Sequence, residues 1–353
     1  MISIISAIIV IGVLVLVHEF GHFVVARFFN IKVLKFSIGF GTKLFGFKGE
    51  ETEYLISAIP LGGYVKLYGE EDEEITEERE RAFCFQTPLK KMLVVFAGPF
   101  FNFLFALLVF FVVNAVGYKT ISSKVGDVKE NYPAYMAGIR KGDVITKIQG
   151  HPVKVWEDVS KVIKESDGKG ILLEIKRGND IFLTTVTPKI EKTKNLFGED
   201  VTVPIVGIVS SDELVTISYP LHQAFYKGCQ QVYELTRLTL LTVYKLITRV
   251  VPVSSLGGPI MITKMAGETA KTGTLNLIAF MALLSINLGV LNLLPIPILD
   301  GGHILLFCFE AITGKAASPK IKEAFTYVGI IIIAMLTITV FYNDIMKIFL
   351  GKK

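Results

Sequence analysis

Four stretches of this chain stay apolar for about 20 residues or more, the length a helix needs to cross a bilayer. They lie near 2–26, 92–116, 275–295 and 324–343. Between the first two, the segment 30–91 changes character. Its first half, 32–66, interleaves Phe, Leu, Ile and Val with Gly39, Gly41, Gly62 and Gly63, which predicts a β-hairpin or small sheet. Its second half carries an acidic run from Glu70 to Glu80, read as a solvated face or loop. The block 117–215 contains no span. Strand-like runs at Ile171–Lys176 and Ile181–Val186 alternate with turn signals, and one helix is expected near Trp156–Lys164, so the block reads as a small α+β domain. Leu221, Phe225, Val232, Leu235, Leu238 and Leu246 then return at mostly helical spacing, predicting an amphipathic helix along the membrane surface. The expected architecture is a polytopic α-helical membrane protein in four parts. These are an N-terminal membrane core (1–116), the α+β block (117–215), an amphipathic helix with its connector (216–274) and a C-terminal membrane core (275–353).

Composition supports this. Of 353 residues, 51% are hydrophobic, and the mean hydropathy of +0.54 suits a chain whose main partner is a lipid bilayer. The formal charge of +5 is not gathered into a basic patch, so a nucleic-acid partner is not expected. Cys84, Cys229 and Cys308 show no metal spacing and read as buried apolar filler. The N-terminal apolar run lacks a basic start and a small-residue cleavage site, so it is expected to stay on the protein. Arg27, Lys32, Lys35, Lys90 and Lys91 flank the loop between spans one and two, and Lys315, Lys320 and Lys322 the loop between spans three and four. By the positive-inside rule both loops are cytoplasmic and 117–215 lies outside, although Lys347, Lys352 and Lys353 run against that topology.

The chemistry starts at His18-Glu19-Phe20-Gly21-His22. Imidazoles at i and i+4 project from one helix face and can hold one zinc ion, while the adjacent carboxylate serves the attacking water as general base. Three ionisable side chains within five positions of an apolar run cost a few kcal/mol each unless paired, metal-bound or facing water. Capping of the membrane boundary is the plainer alternative. It fits poorly, because Phe23 to Ala26 continue the apolar run beyond the motif. Catalytic zinc takes a third protein ligand and an open position. Asp300, after Asn292-Leu-Leu-Pro295-Ile-Pro297-Ile-Leu, is the intramembrane carboxylate in the best setting. Pro295 and Pro297 break the third span, and Gly301 and Gly302 are expected to turn the chain sharply after the carboxylate. His303 as a fourth ligand would close the site to water, so an outer-shell or structural role suits it better. His151 and His222 read as ordinary surface or core residues. Asn287 and Asn292 have two readings: helix–helix hydrogen bonding, or holding a substrate strand open beside the zinc. The sheet at 32–66 could offer an edge strand for the same purpose.

These residues resemble the site-2 protease family, in its bacterial branch that cleaves anti-sigma factors. The resemblance rests on His18-Glu-Phe-Gly-His22, on Asn292…Pro295-x-Pro297-x-x-Asp300-Gly, and on four spans in this order. Local matches at Ser37–Gly41, Pro60–Lys66, Gly98–Asn102 and Gly257–Ile260 extend it along almost the whole chain. It implies Zn2+ on His18, His22 and Asp300, Glu19 as catalytic base, and Asn287, Asn292, Pro295 and Pro297 as shapers of the substrate site. It implies single-pass membrane protein substrates already trimmed by a first protease, in a bacterial cytoplasmic (inner) membrane; the topology from the basic residues puts His22, and so the active site, near the cytoplasmic side. The block 117–215 resembles a PDZ domain through Pro133-Ala134, Ala137-Gly138, Gly142-Asp143 and Gly150, with peptide binding as its implied property. Relatives of this branch often carry two PDZ domains, and this chain has room for one. The rival readings are a catalytically silent PDZ scaffold, which the presence of Glu19 disfavours, and a metal transporter, which predicts polar residues spread through all four spans. A peripheral zincin is disfavoured by four separate span-length runs.

Overall fold

The structure, a computed structural model, describes residues 2–70, 75, 77–195 and 197–349. Much of the acidic run after Glu70, and Lys352 and Lys353, lie outside the described residues. The chain divides into two compact units: Met1–Val113 with Leu221–Lys353, and Asn114–Pro220.

The first unit opens with α1 (Ile2–Phe28), whose buried positions Ala7, Val10, Leu14, His18 and Gly21 form one stripe at helical spacing. Strands β1 (Val33–Lys48) and β2 (Glu53–Leu67) follow. Val33–Ile38 pairs with Gly63–Leu67 on one side and with Glu53–Ile56 on the other, and Lys43–Lys48 pairs back onto Glu53–Ser57. The two long strands therefore build a small antiparallel sheet with Gly63–Leu67 at one edge. Gly39, Gly41 and Gly62, at φ of 92°, 85° and 148°, make the bends that fold it. Leu44, Phe45 and Phe47 at the far edge are exposed. Helix α2 (Pro88–Val116) contains Pro99.

The second unit carries β3 (Tyr118–Ile121), β4 (Val125–Val128), α3 (Pro133–Met136), β5 (Val144–Ile148), β6 (His151–Pro152), α4 (Trp156–Glu165), β7 (Ile171–Arg177) and β8 (Asp180–Val186). It continues with β9 (Lys189–Lys194), β10 (Asp200–Ile205), β11 (Ile208–Ser210) and β12 (Leu214–Ile217). A four-stranded sheet β6-β5-β7-β8 packs with α4 around Ile145, Ile148, Val159, Leu173 and Ile175. Strand β11 pairs with β4, β12 with β3, and β9 with β10. Asp143 is 1% exposed. Arg177 grips it with two hydrogen bonds of 2.8 Å, and the Arg140 amide adds a third. Burial alone would raise the Asp143 carboxyl; the Arg177 guanidinium and Arg140 amide outweigh it and hold the group below the ordinary carboxylate range. A carboxyl depressed in the folded state stabilises it above the unfolded value of about 3.9 and stops doing so as pH falls through the folded value. Trp156 is the chain's one tryptophan and lies in this unit, so its fluorescence reports on it. Arg177→Ala leaves a buried carboxylate unpaired, and its Trp156 denaturant transition should be weakened by about 3 kcal/mol at neutral pH. Below pH 4 the gap to wild type should narrow.

The first unit resumes with α5 (Leu221–Ile247), α6 (Pro259–Thr272), α7 (Thr274–Asn292), α8 (Asp300–Thr313) and α9 (Pro319–Phe349). Among the described residues, α1, α2, α7 and α9 are long and apolar enough to cross a membrane. The third of these ends at Asn292, short of the expected 295, because the residues before Pro295 and Pro297 leave the helical region. Helix α6, not foreseen within the connector, packs beside α1: a Cβ on Gly267 would lie 2.7 Å from the Ser3 Cα. Its N-terminus is held by Asp344 of α9, whose carboxylate accepts from the Gly258, Ile260 and Met261 amides at 2.8, 2.9 and 3.1 Å. Helix α5 lies against α2, where a Cβ on Gly228 would stand 3.2 Å from the Phe111 amide nitrogen. Cys84 and Cys229 are exposed, correcting the expectation that the cysteines are buried filler.

Candidate active site

Helices α1 and α2 meet closely where the motif sits. A Cβ on Gly21 would lie 2.4 Å from the Ala97 carbonyl oxygen, and one on Gly98 would lie 2.3 Å from His22 Nε2 and 2.8 Å from His18 Cε1. Glycine at 98 thus leaves room for the imidazoles. Gly98→Ala should displace the His22 ring, which cannot swing freely because its Nδ1–H donates to the Val94 carbonyl at 2.9 Å. Metal affinity, measured by competition with a chromogenic chelator, is expected to fall by at least about 10-fold.

Asp300 arrives from the other half of the chain. The turn that delivers it lies before the carboxylate, not after: Leu293–Leu299 carry the bend, with Ile298 at φ 81°, a costly conformation for a β-branched residue. Asp300 itself opens α8. Gly301 and Gly302 are inside that helix, where added Cβ atoms would meet the Leu294 and Ile296 carbonyl oxygens at 2.2 and 2.4 Å. Their role is close packing of α8 on the broken segment, which corrects the expected sharp turn. Buried Lys91, whose Nζ lies 3.0 Å from half-buried Glu310, ties α8 to α2.

The result is a three-donor cluster. His18 Nε2 lies 3.2 Å from His22 Nε2 and 3.1 Å from Asp300 Oδ2, and His22 Nε2 lies 3.7 Å from Asp300 Oδ1. A tetrahedral ion bonded at roughly 2.0–2.2 Å sets its ligands about 3.3–3.6 Å apart, so the cluster has the size of a zinc shell. Asp300 Oδ2 is buried and without a hydrogen-bond partner, a state a bound cation relieves. His18, His22 and Asp300 are the metal-suited group found among the described residues. His303 lines the same cavity one turn beyond Asp300 but is not in the donor group.

The donors open into a cavity of about 840 Å³ that Glu19, Asn292 and the edge residues Gly63–Val65 also line. A Cβ on Gly63 would stand 3.3 Å from the Glu19 Cγ, so the sheet edge packs against the acid beside the cluster. Asn292 Nδ2 is 3.3 Å from His18 Nε2. Asn287 stands apart from the cavity lining and accepts a 2.8 Å hydrogen bond from Thr239 of α5. Pro295 and Pro297 lie in the bend, where the Pro297 carbonyl abuts Gly329 of α9. Asn102, whose side chain reaches His18 Nδ1 at 3.0 Å, was not assigned a role from the sequence. Its place at the end of the Gly98–Asn102 match is the signal that could have found it.

Two imidazoles, one carboxylate, an adjacent acid and an open cavity among membrane-spanning helices define a membrane metallopeptidase. The chain belongs to peptidase family M50, whose model matches residues 6–336. A protein of Rickettsia conorii provisionally named a zinc metalloprotease is 37% identical over 360 residues, covering 99% of this chain and 100% of the relative. A similarly named protein of Clostridium acetobutylicum is 35% identical over 343 residues, covering 97% of each. Zinc metalloprotease RasP of Oceanobacillus iheyensis is 28% identical over 429 residues, covering 99% of this chain and 100% of the relative.

Proposed function

We propose that this chain is a zinc-dependent intramembrane endopeptidase, hydrolysing peptide bonds within or next to the transmembrane segments of single-pass membrane proteins. The convergence of His18, His22 and Asp300 with Glu19 in one cavity at membrane-helix depth carries the reading. His18, His22 and Asp300 would hold the metal. Zinc supplies, when bound, a Lewis acid that activates water and polarises the scissile carbonyl. Glu19 takes the proton of the attacking water and returns it to the leaving amide nitrogen. The Gly63–Leu67 edge offers backbone groups on which an unwound substrate strand can pair. Asn292 stands where it can hold that strand against the donors. Exposed Leu44, Phe45 and Phe47 suit a sheet that touches lipid.

The substrates are anti-sigma factors or signal-peptide remnants after a first cleavage. The membrane is the bacterial cytoplasmic membrane, with the active site near its cytoplasmic side, as the basic residues beside the spans favour. Residues 117–215 act as a PDZ-type domain that binds peptide ends outside, a reading supported by the Gly138–Asp143 turn and the α4 helix beside a sheet.

The test is cleavage of a pre-trimmed single-pass substrate by the purified chain in vesicles. A strong chelator should abolish cleavage and zinc should restore it, with product masses placing the cut in or beside the apolar segment. Cleavage that ignores the chelator, or falls only in distant loops, would overturn the proposal.

A further inference from the structure

Two polar side chains buried deep in the helix bundle are unused by the mechanism above: Asn102 of α2 and Ser285 of α7, both 0% exposed. Polar groups in such a setting are costly unless fully satisfied. Asn102 Nδ2 lies 3.0 Å from His18 Nδ1, and Ser285 Oγ lies 3.0 Å from the Asn102 main-chain oxygen and 3.3 Å from its Oδ1.

A neutral imidazole has one N–H and one lone pair. For His18 to offer its Nε2 lone pair to a metal, Nδ1 must carry the hydrogen and needs an acceptor. The oxygen and nitrogen of an amide have nearly the same shape, so which end faces His18 is decided by the network. With Oδ1 toward His18, every group is served. Nδ1–H donates to Oδ1, Asn102 Nδ2–H donates to Ser285 Oγ, and the Ser285 hydroxyl donates to the Asn102 carbonyl. With Nδ2 toward His18, Nδ1 becomes the acceptor and Nε2 carries the hydrogen. That hydrogen then points into the donor cluster, where Asp300 Oδ2 at 3.1 Å can accept it, and Nε2 has no lone pair left for a metal.

His22 differs. Its Nδ1 faces the Val94 carbonyl, a group that can only accept and that no substitution removes. The tautomer of His18 alone depends on a replaceable side chain.

We propose that Asn102, held by Ser285, is the positioning residue that keeps His18 in its metal-binding tautomer. The inference rests on the proposed function, which makes His18 a ligand. Zinc affinity of the full chain, measured by chelator competition, tests it. Asn102→Leu keeps the branching of the side chain, though it is bulkier, and removes the acceptor, and should weaken zinc by roughly 10- to 100-fold. Asn102→Asp can only accept, and should stay within about threefold of wild type, as carboxylate–histidine–zinc pairings do. A purely structural asparagine predicts that both variants lose zinc alike. That result, or wild-type affinity in Asn102→Leu, overturns the proposal. Where Asn102→Leu does not fold, Ser285→Ala removes one oxygen and adds no volume. It should weaken zinc by about 3- to 10-fold, and undiminished affinity there also overturns the proposal. His18→Ala run alongside separates the two claims. Zinc retained in that variant means His18 is not a ligand and the proposed function itself fails; zinc lost there but kept in Asn102→Leu refutes the positioning role alone.

Discussion

Glu19→Gln should leave zinc binding intact and lower the cleavage rate by roughly 10²–10⁴-fold. The carboxamide has nearly the size of the carboxylate but cannot accept the water's proton. Glu19 is outside the donor group formed by His18, His22 and Asp300, so its replacement removes no metal ligand. Glutamine keeps the side-chain stem that packs against the sheet edge at Gly63, so the edge should keep its place. The loss should appear in the rate constant at saturating substrate rather than in binding, because the proton moves only as the bond is attacked. Undiminished turnover by this variant on a pre-trimmed substrate would remove Glu19 from the mechanism.

His22→Ala and His18→Ala should each abolish both zinc binding and cleavage. Groups that merely orient a ligand are worth roughly 10- to 100-fold in affinity, so deleting the ligand itself should cost more than about 100-fold. With His22 gone, His18 Nε2 and Asp300 Oδ2, 3.1 Å apart, are the two donors left, fewer than the three protein ligands catalytic zinc takes. Chelator competition on detergent-purified variants, with cleavage assays beside it, reads both effects.

Much of this was legible along the chain, for definite reasons. Membrane spans announce themselves because hydrocarbon demands long apolar runs, and α1, α2, α7 and α9 lie where those runs lie. The pair His18 and His22 is local, four residues apart on one helix, so spacing alone exposes it. What stayed hidden depends on distant pairing or on glycine's double use. Gly301 and Gly302 read as a turn, since glycine usually marks one. In the fold they allow α8 to press against carbonyls of the preceding bend. Asn102 meets His18 across 84 positions, which no periodicity reveals. Thr239 claims Asn287 from a separate helix, so the two readings of that asparagine could not be told apart from the sequence. The sheet's register, with Val33–Ile38 between two partners, follows from bends at Gly39, Gly41 and Gly62 that the alternation of Phe, Leu and Ile does not encode.

One zinc ion should be held by two histidines of the first span and an aspartate from the far half of the chain. Elemental analysis of purified wild type, Glu19→Gln and Asp300→Ala tests it most directly. About one zinc per chain is expected in the first two, and almost none in Asp300→Ala even though both histidines remain. Full zinc occupancy in Asp300→Ala, or none in the wild type after purification without chelators, would contradict it.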